Sequence, residues 1–127
     1  MSVERFGSGG RWEEAVGYSR TVRAGGFVFV AGCTGVDGNG EVVGGGAYKQ
    51  MVQACANVEA ALRLAGATVA DVVQTRMFVT DISRSEEIGR AHAETFGAAA
   101  PVSSMVEVAR LMNRKMVVEI EAIAFAP

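Results

Sequence analysis

Two stretches decide the fold: Pro101-Val-Ser-Ser-Met-Val-Glu-Val-Ala-Arg-Leu111 and Val117-Val-Glu-Ile-Glu-Ala-Ile-Ala124. Both are rich in residues that favour strands, and the second alternates with period two. This alternation places four apolar side chains on one face: Val118, Ile120, Ala122 and Ala124. Glu119 and Glu121 then point together to the other face. Burying unpaired carboxylates costs several kcal/mol, so this pair indicates a polar pocket or an interface.

Working outward, residues 1–127 predict one domain with the order β-β-α-β-α-β-β. The dipeptide Gly25-Gly26 has hairpin-turn spacing between two predicted strands, Ser19–Ala24 and Phe27–Ala31. A third strand is predicted over Val72–Thr80. Pro101 breaks the chain before the two closing strands.

Two helices are predicted between these strands. The first covers Tyr48–Leu64, where one apolar stripe recurs at helical spacing: Met51, Cys55, Val58 and Leu62. The second runs from about Glu86 to Phe96, and the sequence Ser83–Glu86 fits a capping box at its start.

Composition limits the classes of function. Half of the 127 residues are apolar and 20% are charged, which is typical of a globular protein. With 12 basic and 14 acidic residues and no basic stripe, nucleic-acid binding is not expected. No apolar run reaches the ~18 residues of a membrane span, and the N-terminus lacks a secretory core. We therefore expect a cytoplasmic protein without a membrane partner, in which Cys33 and Cys55 are free buried thiols.

Several of the predicted strands are apolar on both faces. Phe27 and Phe29 alternate with Val28 and Val30, so neither side of this strand is polar. Two helices can cover only one face of a mixed sheet, and the other face would expose an apolar patch that soluble monomers avoid. We expect an obligate homo-oligomer.

Several segments together resemble the YjgF/RidA family of reactive-intermediate deaminases, over essentially the whole chain. They are Val16–Ser19, Phe29–Gly32, Asn57-Val58, Phe78–Asp81, Val106–Leu111 and Glu119–Ala124. The resemblance implies an α+β fold of the chorismate-mutase-like type and a homotrimer. It also implies clefts between subunits that take a small imine or enamine, with no metal and no cofactor.

The resemblance assigns roles to three residues. Glu119 would orient or activate a water that attacks a C=N carbon, and a partly desolvated carboxylate is a usable general base. The backbone carbonyl of Gly32 would hold that water or the substrate nitrogen, and Tyr18 would line the cleft. The alternatives are an ion pair of Glu119 with Arg110 or Arg114 across a hairpin, a turn glycine, and an interface tyrosine.

The chain departs from the family at four positions. Deaminating members carry an arginine two residues after the proline, where it binds the substrate carboxylate, and here Ser103 stands in its place. Three further pocket residues also differ: Met105 for a cysteine, Ala31 for a serine and Gly89 for an asparagine. Serine supplies neither the positive charge of arginine nor the two parallel N–H donors with which arginine binds a carboxylate. We expect that the pocket takes a less acidic and more apolar ligand, or that Arg90 or Arg20 supplies the missing charge.

Two functions from different classes therefore remain. One is an enzyme that hydrolyses a small imine or enamine or transfers a proton on it, with Ser103 donating a hydrogen bond. The other is a catalytically inactive trimer that binds or senses a metabolite. A ribonuclease, a role described for some relatives, ranks third because the chain lacks a basic patch.

The other residues that could take part in chemistry are expected to have structural roles. Cys33 could face the cleft, although a packed thiol is favoured. His92, the only histidine, cannot form a metal site with these cysteines and is expected to pack or to lie on the helix surface. Glu107 and Glu121 are expected to be structural ion-pair or interface acids. The loop Gly35–Gly46 lacks a phosphate-binding motif and is expected to form a flexible rim of the cleft.

Overall fold

The computed structural model describes residues 2–127, which form a six-stranded mixed sheet with two long helices packed on one face. The strands are β1 (Val3–Phe6), β2 (Thr21–Ala24), β3 (Phe27–Thr34), β4 (Val72–Val79), β5 (Val102–Glu107) and β6 (Val118–Phe125). The helices are α1 (Arg11–Val16), α2 (Ala47–Leu64) and α3 (Ser85–Phe96). The predicted α+β class, with two long helices against a mixed sheet, is confirmed.

The spatial order of the strands is β1-β2-β3-β6-β4-β5. Strands β4 and β5 are parallel, as expected when a helix connects two neighbouring strands, and the other pairs are antiparallel. Strand β6 inserts between β3 and β4. The expected hairpin between the two closing strands is therefore wrong, because β4 separates β5 from β6.

The N-terminal part contains two elements that the predicted order lacks. Strand β1 adds to the edge of the sheet beside β2, and α1 has only six residues. Such a short helix cannot show a repeated apolar stripe, so its sequence has no clear helical signal.

The predicted capping box at the start of α3 is also wrong. Arg84 is the residue that precedes this helix, and its side chain makes no capping hydrogen bond. Instead the Asp81 carboxylate accepts a hydrogen bond from the backbone N–H of Ser83, 3.0 Å away, in the short 3₁₀ turn Ile82–Arg84. The local acid thus caps the turn, and α3 continues from it.

The core lies between the sheet and helices α2 and α3. The predicted stripe on α2 is buried, and both cysteines are buried and free, as expected. Burying one such apolar side chain contributes about 1.5–3 kcal/mol relative to leaving it exposed. Within residues 2–127, no helix has the length and apolar character that crossing a bilayer requires.

The sheet face opposite the helices is apolar and uncovered within the chain. Phe27, Phe29 and Phe125 are 45%, 42% and 46% exposed, and the rings of Phe27 and Phe125 are 5.1 Å apart. We call this surface, which also carries Ile123, the open face. Its exposed aromatic rings agree with the expectation that the helices cover one side only.

Asn57 on α2 fixes the segment that leaves β3. Its side-chain amide donates hydrogen bonds to the carbonyls of Thr34 and Val36, at 2.9 and 2.8 Å. The start of the glycine-rich loop is thereby attached to the helix, and an isolated bridge between Val36 and Val42 closes the loop.

We expect Asn57→Ala to lower the free energy of unfolding by about 1–3 kcal/mol, because two carbonyls lose their donor. Chemical denaturation measures this change. Glu59→Ala on the same helix is the control, since its surface ion pair with Arg63 contributes ~1 kcal/mol or less. Equal losses for the two variants would contradict the role of Asn57.

Candidate active site

An irregularity in β3 places Gly32 under the side chain of Glu119. The pairing of β3 with β6 shifts between Val30 and Cys33, so Gly32 lies in a bulge. A Cβ on Gly32 would collide with the Oε2 atom of Glu119 and lie 2.8 Å from its Cδ atom. The carboxyl group thus occupies the space that a side chain at position 32 would need.

Arg20 stabilises the backbone of the same bulge. Its Nη1 donates to the carbonyl oxygens of Gly32 and Ala31, at 2.8 and 3.1 Å. Its Nη2 donates to the Tyr18 hydroxyl at 3.2 Å. The structure therefore brings together four residues that the sequence singled out, with Arg20 between the tyrosine and the glycine. The carbonyl of Gly32 retains a second lone pair for a ligand.

Glu13 holds the other side of Arg20. The two side chains are 3.7 Å apart, and Ser8 donates to Glu13 through both its backbone N–H and its hydroxyl. Burial acts to raise the pKa of Glu13, but the hydrogen bonds from Ser8 and the charge of Arg20 outweigh it and leave the pKa low. The ionised Glu13 fixes the orientation of the guanidinium group.

Glu119 itself has a raised pKa. Burial is the main cause and the neighbouring charge of Glu121 adds to it, while Arg20 acts in the opposite direction. The expected alternative, an ion pair with Arg110 or Arg114 across a hairpin, is wrong, because β5 and β6 are not neighbours. Those two arginines instead line a separate depression of about 250 Å³.

The other residues near the bulge take simple roles. Cys33 is buried, and burial raises the pKa of its thiol, so it is a packed thiol and not a thiolate. Tyr18 is 37% exposed, with its ring beside Arg20, which suits the wall of a cleft. Glu121 pairs with Arg76 at 2.6 Å, as the structural interpretation expected. Glu107 instead accepts a hydrogen bond from the backbone of Ile82, at 3.0 Å.

A second polar cluster lies on the helix side of the sheet. The Thr75 hydroxyl is 2.8 Å from the Ser103 hydroxyl and 2.7 Å from Nε2 of His92. Burial lowers the pKa of His92, so its imidazole is neutral at neutral pH. No sequence pattern predicted this cluster, because its three residues come from β4, α3 and β5.

Ser103 and Glu119 lie on opposite faces of the sheet. Ser103 pairs with Thr75, whose side chain is fully buried on the helix side, whereas Glu119 projects between the buried Val118 and Ile120 to the open face. Two strand spacings, about 10 Å, also separate β5 from β6. Within one chain these side chains therefore cannot contact the same small ligand.

Within residues 2–127 of one chain, neither candidate arginine is hydrogen-bonded to Ser103. Arg90 lies over the ring of Tyr48, 4.5 Å from its centroid, and Arg20 binds the bulge. Gly89 leaves open space on α3, since a Cβ there would meet nothing within 4 Å. Met105 packs against the core beside this cluster. This side of the site thus combines neutral hydrogen-bonding groups with an apolar wall.

Comparisons with known proteins agree with the resemblance seen in the sequence. The profile described as endoribonuclease L-PSP matches residues 10–126. A Mycobacterium tuberculosis structure, described as a member of the YjgF/YER057c/UK114 family, is 49% identical with a TM-score of 0.90 and covers 98% of this chain and 100% of its own. A Pyrococcus horikoshii RutC family protein is 36% identical over 85% of this chain and 86% of its own. The 2-iminobutanoate/2-iminopropanoate deaminase of Salmonella typhimurium is 35% identical over 84% of this chain and 85% of its own.

We expect Gly32→Ala to lower the free energy of unfolding by about 1–3 kcal/mol, because the added methyl group displaces the Glu119 carboxyl. Glu119→Ala removes the colliding atoms, so the second substitution restores part of this loss. A double-mutant cycle by denaturation measures the coupling. Purely additive effects would show that the two residues do not compete for this space.

Proposed function

The chain belongs to the endoribonuclease L-PSP family, whose members are also named YjgF or RutC, and we propose that it hydrolyses a small imine or enamine. In this reaction water adds to the C=N carbon, and the adduct then releases ammonia to leave a carbonyl compound. Membership of the family and the similarity to a named iminobutanoate/iminopropanoate deaminase support this substrate class.

The partly buried carboxyl of Glu119 is the observation that carries the proposal. Burial raises its pKa, which makes its carboxylate a stronger base than that of an exposed glutamate. The Gly32 carbonyl beside it can accept a hydrogen bond from the substrate N–H or from the attacking water. Glu119 takes one proton from the attacking water and passes it to the imine nitrogen, which gives the carbinolamine. It then takes the proton of the new hydroxyl group and passes it to the same nitrogen, so that the C=O bond forms as the C–N bond breaks and ammonia leaves.

Ser103 and Glu119 lie on opposite faces of the sheet, and this supports a cleft built from two subunits. Glu119, Gly32 and Tyr18 would come from one chain, and Ser103, Met105 and their neighbours from the next. The exposed phenylalanines on the open face supply the apolar area that holds the subunits together. A homotrimer satisfies both requirements, because it gives three equal clefts and buries all three open faces.

A second candidate function is binding of a metabolite without turnover. The substitution of Ser103 at the expected arginine position favours it, because no cation is hydrogen-bonded to Ser103 within residues 2–127. Such a protein would retain a saturable site while releasing no ammonia.

We expect Glu119→Gln to lower the rate of ammonia release from imines generated in situ by about 100-fold or more, since an amide cannot act as a base. The wild-type rate should fall as the pH is lowered through the raised pKa of Glu119, because only the ionised form works. Ammonia release measured from pH 4 to 8 follows both effects.

Glu121→Gln is the matched control, two residues along the same face of β6. Removing its charge should preserve turnover and move the acid side of the pH profile to lower pH, because that charge raises the pKa of Glu119. Full activity in Glu119→Gln would exclude its role as the base. Saturable binding with no turnover in the wild type would favour the second function.

We expect Phe29→Asp to dissociate the trimer, because a charge would replace an aromatic ring on the open face, which the trimer buries. Sedimentation velocity measures the change in mass. Val52→Asp is the control, since Val52 is equally exposed but lies on α2, away from this face. A wild-type monomer in dilute buffer would contradict the proposed assembly.

A further inference from the structure

The hydroxyl–imidazole cluster, defined as Ser103, Thr75 and His92, is a connected hydrogen-bond chain whose most exposed end is Ser103. Thr75 is fully buried, His92 is partly buried, and Ser103 is exposed. The Thr75 hydroxyl, at 2.7 Å from His92 and 2.8 Å from Ser103, is bonded on both sides. Ser103 is the most exposed member of this hydrogen-bond chain, so we take its hydroxyl as the point of contact with a ligand.

The position of the proton on His92 decides whether the Ser103 hydroxyl donates or accepts a hydrogen bond. If Nε2 of His92 lacks a proton, Thr75 donates to it and accepts from Ser103, whose oxygen then offers only lone pairs to a ligand. If Nε2 carries the proton, each bond reverses and the Ser103 hydroxyl donates outward. A neutral imidazole can take either form, so the accessible end presents an acceptor or a donor.

The cluster contains no charge to balance an anion. Arg90 is stacked on Tyr48, and Arg76 is paired with Glu121 on the open face. Arg20, in the half of the cleft that carries Tyr18 and Gly32, is paired with Glu13 and donates to the bulge carbonyls and the Tyr18 hydroxyl. A carboxylate bound at Ser103 would therefore give up water without gaining a free opposite charge, which is costly. A primary carboxamide has the same shape as a carboxylate but carries no charge. It supplies both a C=O acceptor and N–H donors, so it can bind Ser103 whether the serine hydroxyl donates or accepts.

We propose that the Ser103–Thr75–His92 cluster selects substrates that bear a neutral carboxamide group next to the reacting C=N carbon. This inference rests on the proposed function, because it names the substrate class for the same cleft. Ser103 contacts the ligand, and Thr75 and His92 are positioning residues that act through it.

Pyruvamide and pyruvate test this selection as a pair of non-hydrolysable probes of equal shape that differ in charge. We expect the wild type to bind pyruvamide about tenfold more tightly than pyruvate by calorimetry, the effect of one well-placed hydrogen bond. Ser103→Ala should weaken pyruvamide about tenfold and leave pyruvate unchanged. Ser104→Ala, the adjacent serine on the opposite face of β5, should change neither.

Ser103→Arg provides the converse test. A guanidinium at this position should reverse the preference and favour pyruvate. All of these substitutions are at exposed positions, so the folding of the variants is not at risk.

The positioning role of His92 has a spectroscopic readout. The ¹⁵N shifts of the His92 ring report which nitrogen carries the proton, and pyruvamide should change them in the wild type but not in Ser103→Ala. A histidine that only packs against Phe96, 5.1 Å away, would show the same spectrum with and without the probe.

The outcomes separate this inference from the proposed function. Equal binding of the two probes, a preference for pyruvate, or no binding of either at tens of millimolar would overturn the carboxamide selection. Ammonia release that depends on Glu119 would still stand in each case. Conversely, pyruvamide selection without turnover would support the inference while the hydrolytic function fails.

Discussion

The Glu119 carboxyl can pack against β3 only because residue 32 has no side chain. The bulge in β3 brings Gly32 beneath the carboxyl, and Arg20 stabilises the bulge by donating to two of its carbonyls. Arg20 is in turn held by Glu13. These contacts leave Glu119 partly buried and, among residues 2–127, without a direct ion pair, so burial is the main influence on its pKa. The bulge in β3 thus positions both the Glu119 carboxyl and the Gly32 carbonyl beside it.

The sheet then divides the chemistry between its two faces. The open face carries both the acid and the exposed aromatic rings, and the helix side carries neutral hydroxyl and imidazole groups. A single chain keeps these groups apart, so the site proposed above requires a second subunit. The exposed apolar surface of the open face favours assembly of subunits. The proposed cleft therefore depends on the order of the strands as much as on the identity of the side chains.

Much of the fold could be predicted because the signals are local. The alternation around Glu119 and Glu121 assigned the correct face to each residue of β6, and the stripe on α2 identified the buried side of that helix. The pairing of strands could not be predicted in this way, because nothing in β6 indicates that it inserts between β3 and β4. The false hairpin led directly to the wrong partners for Glu119.

The site was predictable to the same extent. The resemblance supplied Glu119, Gly32 and Tyr18, and the structure brings Glu119 and Tyr18 to the two sides of the bulge. The hydrogen bonds of Arg20 to the bulge and the chain from Ser103 to His92 join residues that are distant in sequence. Such contacts depend on tertiary packing, and neither spacing nor composition encodes them.

The titration of Glu119 tests the central claim most directly. The ¹³C shift of its carboxyl carbon, assigned by comparison with Glu119→Gln, reports its protonation state across the pH range. A midpoint clearly above the ordinary range for glutamate, falling when Glu121 is replaced by glutamine, is the result expected here. A midpoint at or below the ordinary value would show a solvated or ion-paired carboxylate and would contradict the proposed base.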